Sequence, residues 1–255
     1  MTKNRVVNWA MNNGALVGLI ALCIALFIAT PYFLTVANLL NIGIQAATVA
    51  ILAFGMTFVI VTAGIDLSVG SVAALGAMVS AYMFSTAGLP GWLTLLIGLI
   101  VGALAGAICG MATAWGKIPS FIATLAMMSI ARGLTLVISQ GSPIETAPAV
   151  NAFGGDIAGF PVPIIMMVIA GLMCWFILER TVLGRSMYAI GGNLEAARLS
   201  GLPVKRIQIA VFAGVRFIAL KDIKARVENN EVSIGVYMAG ISIAVGLLNA
   251  ACMTS

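Results

Sequence analysis

The chain has 255 residues, of which 62% are hydrophobic and only 8% carry a charged side chain. A soluble domain has about 25% charged residues, so this sequence cannot cover a folded domain with a water-facing surface and is expected to be an integral membrane protein. There is no histidine, and the four cysteines are never spaced as a CxxC pair. These absences exclude a histidine-based triad, a metal centre and a disulfide framework.

Long uncharged runs predict six membrane-spanning helices. Residues 6–65 and 67–116 contain no charged side chain, and each run is long enough for two crossings of about 20 residues. Turn-forming residues divide each run in two. The predicted spans are residues 14–34, 42–63, 67–84, 92–115, 118–138 and 162–178. The predicted fold class is all-α, a polytopic helical transmembrane protein with about six to eight membrane helices.

Basic residues predict the orientation of these spans. If the N-terminus is cytoplasmic, eight basic residues fall on the inner side, whereas the outer loops carry only Glu145 and Asp156. Cytoplasmic loops show such an excess of lysine and arginine. The eight residues are Lys3, Arg5, Lys117, Arg180, Arg185, Arg198, Lys205 and Arg206. The net charge of +5 therefore reflects membrane topology and does not indicate a nucleic-acid partner.

The fourth predicted span carries four glycines at four-residue spacing. They are Gly98, Gly102, Gly106 and Gly110. This spacing places them on one helical face, where they allow a neighbouring backbone to approach closely. We expect the face to pack helices within the protein; a dimer contact or a sliding surface is the alternative.

Two charged and several polar residues are candidates for a translocation path. Asp66 follows the second span, where it could cap the third helix or contribute to the path. Arg132 lies about 14 residues into the fifth span, about 21 Å deep, where it is either functional or extends to the outer interface. Asn41 and Gln45 add uncharged polar groups. No carboxylate lies clearly within the six spans, which argues against proton coupling and favours a neutral, hydroxyl-rich solute.

The loop from Glu179 to Arg206 contains the signals of a short helix. Asn193 suits the N-cap position, and Glu195 falls in the first turn. Gly201 suits the position just beyond the C-terminus, and Pro203 prevents continuation. A helix of about 7 residues is predicted.

Residues 110–118 do not form a phosphate-binding loop. Five residues separate the two glycines instead of four, and Ile118 stands where a serine or threonine would hold magnesium. This chain is therefore not expected to bind ATP through such a loop, and no cofactor is predicted for it.

Several segments resemble the permease subunits of bacterial ABC importers. Glu195, Ala196 and Ala197, followed three residues later by Gly201, resemble the EAA-x3-G arrangement of that family. Residues 64–70, 119–134 and 191–201 are similar to the ribose/xylose-type monosaccharide permeases. The resemblance extends over about residues 14–213.

This resemblance implies a membrane subunit without enzymatic activity of its own, in the bacterial cytoplasmic (inner) membrane. Its coupling helix would dock onto a separate ATPase subunit with two nucleotide-binding domains. The coupling residues are Asn193, Glu195, Ala196, Ala197 and Gly201. A homodimer and an extracytoplasmic sugar-binding protein are also implied. The outer loop, residues 139–163, would face that binding protein or serve as a plain connector.

The C-terminal region departs from the family pattern after Ala213. We expect residues 1–213 to form a transmembrane permease domain, truncated relative to the family. Residues 214–255 form a divergent tail in which residues 216–231 contain seven charged side chains. An amphipathic helix is expected there, followed by one span over residues 232–253. Residues 207–220 alone are about 21 Å long, too short to cross comfortably.

Three alternatives to an ABC permease follow from the same residues. The divergent tail is compatible with an inactive, truncated permease fragment. An ATP-independent secondary transporter or channel is disfavoured by the missing carboxylates and by the EAA-x3-G loop. An intramembrane enzyme is disfavoured because the spans offer no pair of nucleophile and base.

Overall fold

A computed structural model describes residues 14–142, 144–148, 154–157 and 159–219. Within these ranges the chain is almost entirely helical. The helices are α1 (Gly14–Ala29), α2 (Val36–Val61), α3 (Val69–Ser85), α4 (Gly91–Ala114), α5 (Ser120–Ser139), α6 (Val162–Arg180), α7 (Val182–Gly192), α8 (Leu194–Leu199) and α9 (Val204–Ala219). Two short antiparallel strands, β1 (Asp156–Ile157) and β2 (Phe160–Pro161), precede α6.

Each of the helices α1 to α6 overlaps one of the six predicted spans, and the all-α transmembrane fold class is confirmed. The largest differences are at the end of α1, predicted at residue 34 and found at Ala29, and at the start of α2, predicted at residue 42 and found at Val36. Four helices among the described residues are long and apolar enough to cross a membrane: α2, α4, α5 and α6. The helices α1 and α3 are apolar but shorter. Pro90, Pro119 and Pro161 each stand immediately before a helix, where a missing N–H costs no hydrogen bond.

The chain divides into two compact units, residues 1–45 and 46–255. The described part of the first unit contains α1 and the beginning of α2. The turn between α1 and α2 is closed by the Asn38 side-chain amide, which donates to the Phe33 carbonyl oxygen over 2.7 Å. The apolar side chains of α1 are exposed from Val17 to Ala29, as expected of a helix that faces lipid.

The core of the second unit is centred on α9. Its buried side chains are Ile207, Val211, Phe212 and Val215, and α9 packs along α4 and against α3. Phe212 is only 2% exposed. The sequence analysis considered a segment of 14 residues that starts at residue 207. The helix begins earlier, at Val204, directly after Pro203.

Glycines allow the backbones of α3, α4 and α9 to approach each other closely. The four glycines of α4 are all buried. A methyl group added at Gly98 would lie 2.8 Å from the Gly76 carbonyl oxygen in α3. One added at Gly110 would lie 2.7 Å from the Ile209 Cα in α9, and one at Gly106 would overlap the Phe212 carbonyl oxygen. The glycine face of α4 thus contacts helices of the same chain on two sides.

The tail predicted from the sequence falls mostly outside the described residues. The expected amphipathic helix of residues 216–231 begins within α9, which is described to Ala219. The expected span of residues 232–253 lies outside the described residues.

We predict that Gly106→Ala lowers the melting temperature of the detergent-solubilised protein by about 5 °C. Overpacking of this kind costs about 1–3 kcal/mol, because the added methyl group meets the Phe212 backbone rather than a movable side chain. Thermal unfolding measured by light scattering or fluorescence gives the shift.

Gly133→Ala in α5 is the matched control. No described atom lies within 4 Å of a methyl group at this position, so the melting temperature should stay the same or rise slightly. Equal losses in the two variants would contradict the packing described for α4 and α9.

Candidate functional site

The short helix predicted in the 179–206 loop is present as α8. A side chain caps its N-terminus, and backbone hydrogen bonds cap its C-terminus. Asn193 is the N-cap residue, and its Oδ1 accepts a hydrogen bond from the Ala196 N–H over 2.9 Å. This bond satisfies one of the backbone donors that the first turn of a helix leaves free. A helix of six residues depends on such caps, because it forms few hydrogen bonds of its own.

Gly201 ends α8 in a left-handed conformation, with φ +81°. The Gly201 N–H donates to the Arg198 carbonyl oxygen over 3.0 Å, and the Leu202 N–H donates to the Ala197 carbonyl oxygen over 3.2 Å. These two bonds define a Schellman motif. Since no described atom lies within 4 Å of a Cβ at Gly201, a side chain there would strain the backbone without a steric clash.

The helix α8 is anchored through one residue and exposes the others. Ala197 is 4% exposed and belongs to the core of the second unit, whereas Ala196 faces outward. Leu199 is 80% exposed. Glu195 and Arg198 form a surface ion pair with an N–O distance of 3.7 Å, which contributes little to stability. The outer face of α8 is therefore a small apolar surface bordered by charges.

The preceding helix α7 connects α8 to the bundle. Thr181 makes the turn between α6 and α7: its Oγ1 donates to the Ile177 carbonyl oxygen over 2.6 Å and accepts from the Gly184 N–H over 3.1 Å. At the other end of α7, Gly191 lies against the backbone of residues 61–63, where an added methyl group would overlap the Val61 carbonyl oxygen. The end of α7 thus packs directly on the end of α2.

Residues 62–68, hereafter the 62–68 loop, form the non-helical connection between α2 and α3. Asp66 lies in this loop and is 3% exposed. Its Oδ1 accepts from the Ser68 N–H over 2.9 Å and from the Ser68 hydroxyl over 2.8 Å. Ser68 itself occupies the N-cap position of α3. Asp66 lies two residues before this position and stabilises the start of the helix by binding its N-cap residue.

Two hydroxyl groups of α5, which sequence reasoning did not select, bind the 62–68 loop. The Ile65 N–H donates to Ser120 Oγ over 3.0 Å, and the Leu67 N–H donates to Thr124 Oγ1 over 3.2 Å. Thr124 is 0% exposed. The only sequence signal was a pair of hydroxyl residues four positions apart on an apolar helix, which places both on one face.

The structure does not bring the other translocation-path candidates together into one site. Arg132 is exposed and lies eight residues after Thr124, about 12 Å further along α5. Asn41 and Gln45 are exposed residues of α2 in the first unit. Within the part of the chain that the structure describes, no cluster of carboxylates and thiols could hold a metal ion.

Comparisons with known proteins identify the class to which this fold and loop belong. Residues 38–219 match a family described as the permease component of a branched-chain amino acid transport system. The chain is 41% identical over 230 residues to the ribose import permease protein of Haemophilus influenzae, a match that covers 86% of this chain and 71% of the relative. No solved structure matches the chain significantly.

Two further relatives are also named as sugar permeases. The ribose import permease protein of Bacillus subtilis is 45% identical over 204 residues, which cover 78% of this chain and 63% of the relative. The xylose transport system permease protein of Escherichia coli is 33% identical over 244 residues, which cover 71% of this chain and 62% of the relative. The matches thus span about two thirds of the relatives' length. This chain belongs to the transport-system permease family that includes these ribose and xylose permeases.

We predict that Asn193→Ala accelerates amide hydrogen exchange in residues 194–199 about fivefold. The substitution removes the acceptor for the Ala196 N–H, and loss of an N-cap costs about 1 kcal/mol. Mass spectrometry of the peptide that contains α8 measures the change.

Asn193→Asp keeps an acceptor oxygen at the same position and should preserve the protection of α8. If the alanine variant were as well protected as the aspartate variant, the N-cap would not stabilise this helix.

Proposed function

We propose that the chain is the membrane-spanning permease subunit of an ABC importer that carries a monosaccharide across the cytoplasmic membrane by alternating access. The geometry of α8 is the main support: a short helix with two caps, anchored by Ala197, presents Leu199 outward. Such a surface is suited to docking into a groove of another protein, because its apolar group is exposed on a backbone that is already ordered.

The proposed partners follow from the charge distribution. The loop that carries α8 contains five basic residues, an excess that is typical of cytoplasmic loops and supports a position where an ATPase subunit can bind. These residues are Arg180, Arg185, Arg198, Lys205 and Arg206. A binding protein would then deliver the sugar at the opposite side, where β1 and β2 expose Ile157 and Phe160. We further propose that two copies of the chain form the translocation path.

The proposed substrate class rests on the relatives and on the polar residues. The matched relatives are named for ribose and xylose, whereas the family description names branched-chain amino acids. Uncharged groups such as Asn41 and Gln45 suit hydroxyl-rich solutes, which need hydrogen bonds and no counter-charge. We therefore favour a pentose or a similar monosaccharide, and we retain Asp66 and Arg132 as candidates for the translocation path.

We predict that Gly201→Val inserts into the membrane normally and lowers ATP-driven sugar uptake at least tenfold. The left-handed conformation costs a non-glycine residue about 1–2 kcal/mol, and a β-branched side chain fits it worst. The end of α8 should therefore rearrange and lose its fit to the ATPase subunit. Co-purification of that subunit and uptake in proteoliposomes measure the effect.

Gly201→Asn is the matched control, because asparagine tolerates the left-handed conformation better than other side chains do. It should retain most of the uptake. If the valine variant bound the ATPase and transported sugar as the unmodified chain does, α8 would not be the coupling helix.

A further inference from the structure

The 62–68 loop interrupts the helical structure between α2 and α3 and is held from two sides. On one side, α5 provides the two hydroxyl acceptors for the backbone N–H groups of Ile65 and Leu67. Thr124 is fully buried at this contact, and its own hydroxyl lies 2.8 Å from the Ser120 carbonyl oxygen and 3.3 Å from the Ile65 carbonyl oxygen. Two donors of a non-helical segment thus depend on side chains that are 55 and 57 residues away in sequence.

On the other side, the loop is contacted by the segment that carries α8. Gly191 lies two residues before the N-cap residue Asn193, and its backbone packs against the Val61 carbonyl oxygen. The Ala63 nitrogen is 3.6 Å from a methyl group added at Gly191. Since this contact joins two backbones without an intervening side chain, a displacement of α7 must also displace the loop or open a gap.

The loop has the properties of a hinge. Ala63 adopts φ +56° just beyond the C-terminus of α2. The Ala63 N–H donates to the Ile60 carbonyl oxygen and the Gly64 N–H to the Val59 carbonyl oxygen, each over 2.9 Å, and these are the two bonds of a Schellman motif. The loop follows the end of α2 and precedes the start of α3, and non-helical residues at element ends are those that absorb changes of φ and ψ in conformational transitions. Residues 62–64 are fixed by backbone bonds to the last turn of α2, whereas the N–H groups of Ile65 and Leu67 depend on the hydroxyl groups of α5. The second half of the loop is therefore the part whose arrangement α5 controls.

We propose that the 62–68 loop links α8 mechanically to α2, α3 and α5, and that Thr124 is the positioning residue that keeps this link engaged. When the ATPase subunit displaces α8, Gly191 pushes the end of α2, and the Thr124 hydroxyl makes α5 follow the loop. This inference rests on the proposed role of α8 as the coupling helix and extends it to residues inside the bundle.

The first part of the test measures the contact without reference to transport. The full chain, in lipid nanodiscs with its ATPase subunit, is compared by hydrogen exchange as Thr124→Val, Thr124→Ser and Thr135→Val. The valine variant keeps the side-chain shape but removes the acceptor for the Leu67 N–H, so exchange in residues 62–70 should rise about threefold to tenfold. The serine variant restores the hydroxyl and should restore protection.

Thr135→Val is the matched control on the same helix. Its hydroxyl donates to the Ala131 carbonyl oxygen within α5, so its removal should leave residues 62–70 protected. If Thr124→Val does not assemble with the ATPase subunit, Ser120→Ala, which removes the acceptor for the Ile65 N–H alone, takes its place in both parts of the test.

The second part measures coupling as sugar molecules imported per ATP hydrolysed. Thr124→Val should retain ATPase binding and ATP hydrolysis while its import per ATP falls about tenfold. Thr124→Ser and Thr135→Val should transport as the unmodified chain does. Faster exchange in the loop with unchanged import per ATP would overturn the inference, because the contact would then be structural only. Unchanged exchange in Thr124→Val would overturn it as well.

Failure of this inference can be distinguished from failure of the proposed function. If Gly201→Val uncouples transport and Thr124→Val does not, α8 remains the coupling helix and the proposed link is wrong. If Gly201→Val transports normally, the proposed function of α8 itself fails, whatever the Thr124 variants show.

Discussion

Close contact between glycines and the backbones of neighbouring helices is the constraint on which the described bundle depends. Helices in lipid gain little from burying apolar side chains, because the lipid is as apolar as they are, and they associate mainly through close packing. Gly98, Gly106 and Gly110 let α4 approach α3 and α9 until carbonyl oxygens and Cα atoms occupy the space of a side chain. The same kind of contact recurs at the C-terminal end of α7, where Gly191 packs against the Val61 carbonyl oxygen.

Phe212 connects this packing to the loop region. Its backbone fills the space beside Gly106, its Cβ lies 3.3 Å from a methyl group added at Gly110, and its ring end lies 3.5 Å from one added at Gly64. One buried side chain of α9 therefore contacts both the glycine face of α4 and the 62–68 loop. Since α7 and α5 contact the same loop, the segment that carries α8 is joined to the bundle by backbone contacts and buried hydrogen bonds, which are suited to transmitting small displacements.

Much of the fold could be predicted from the sequence, because it is encoded locally. The uncharged runs and their turn residues located six helices, most of them to within two residues at each end, but the boundary between α1 and α2 was misplaced by five to six residues. The asparagine and glycine that flank α8 predicted both of its caps. The contacts that assemble the site could not be predicted in this way. Thr124 meets Leu67 across 57 residues of sequence, and no local pattern shows which hydroxyl of an apolar helix reaches a distant backbone N–H. Phe212 is likewise one of several apolar residues of α9, and no local pattern shows that its side chain reaches both α4 and the loop.

ATP-dependent sugar uptake by the reconstituted transporter tests the central claim most directly. Proteoliposomes would contain the full chain with its ATPase subunit, ATP inside, and the sugar-binding protein with radiolabelled ribose or leucine outside. The proposed function predicts that ribose accumulates only when ATP can be hydrolysed and that leucine does not accumulate. Ribose uptake that is equal with and without ATP, or accumulation of leucine alone, would contradict the assignment of this chain as the permease of a sugar importer.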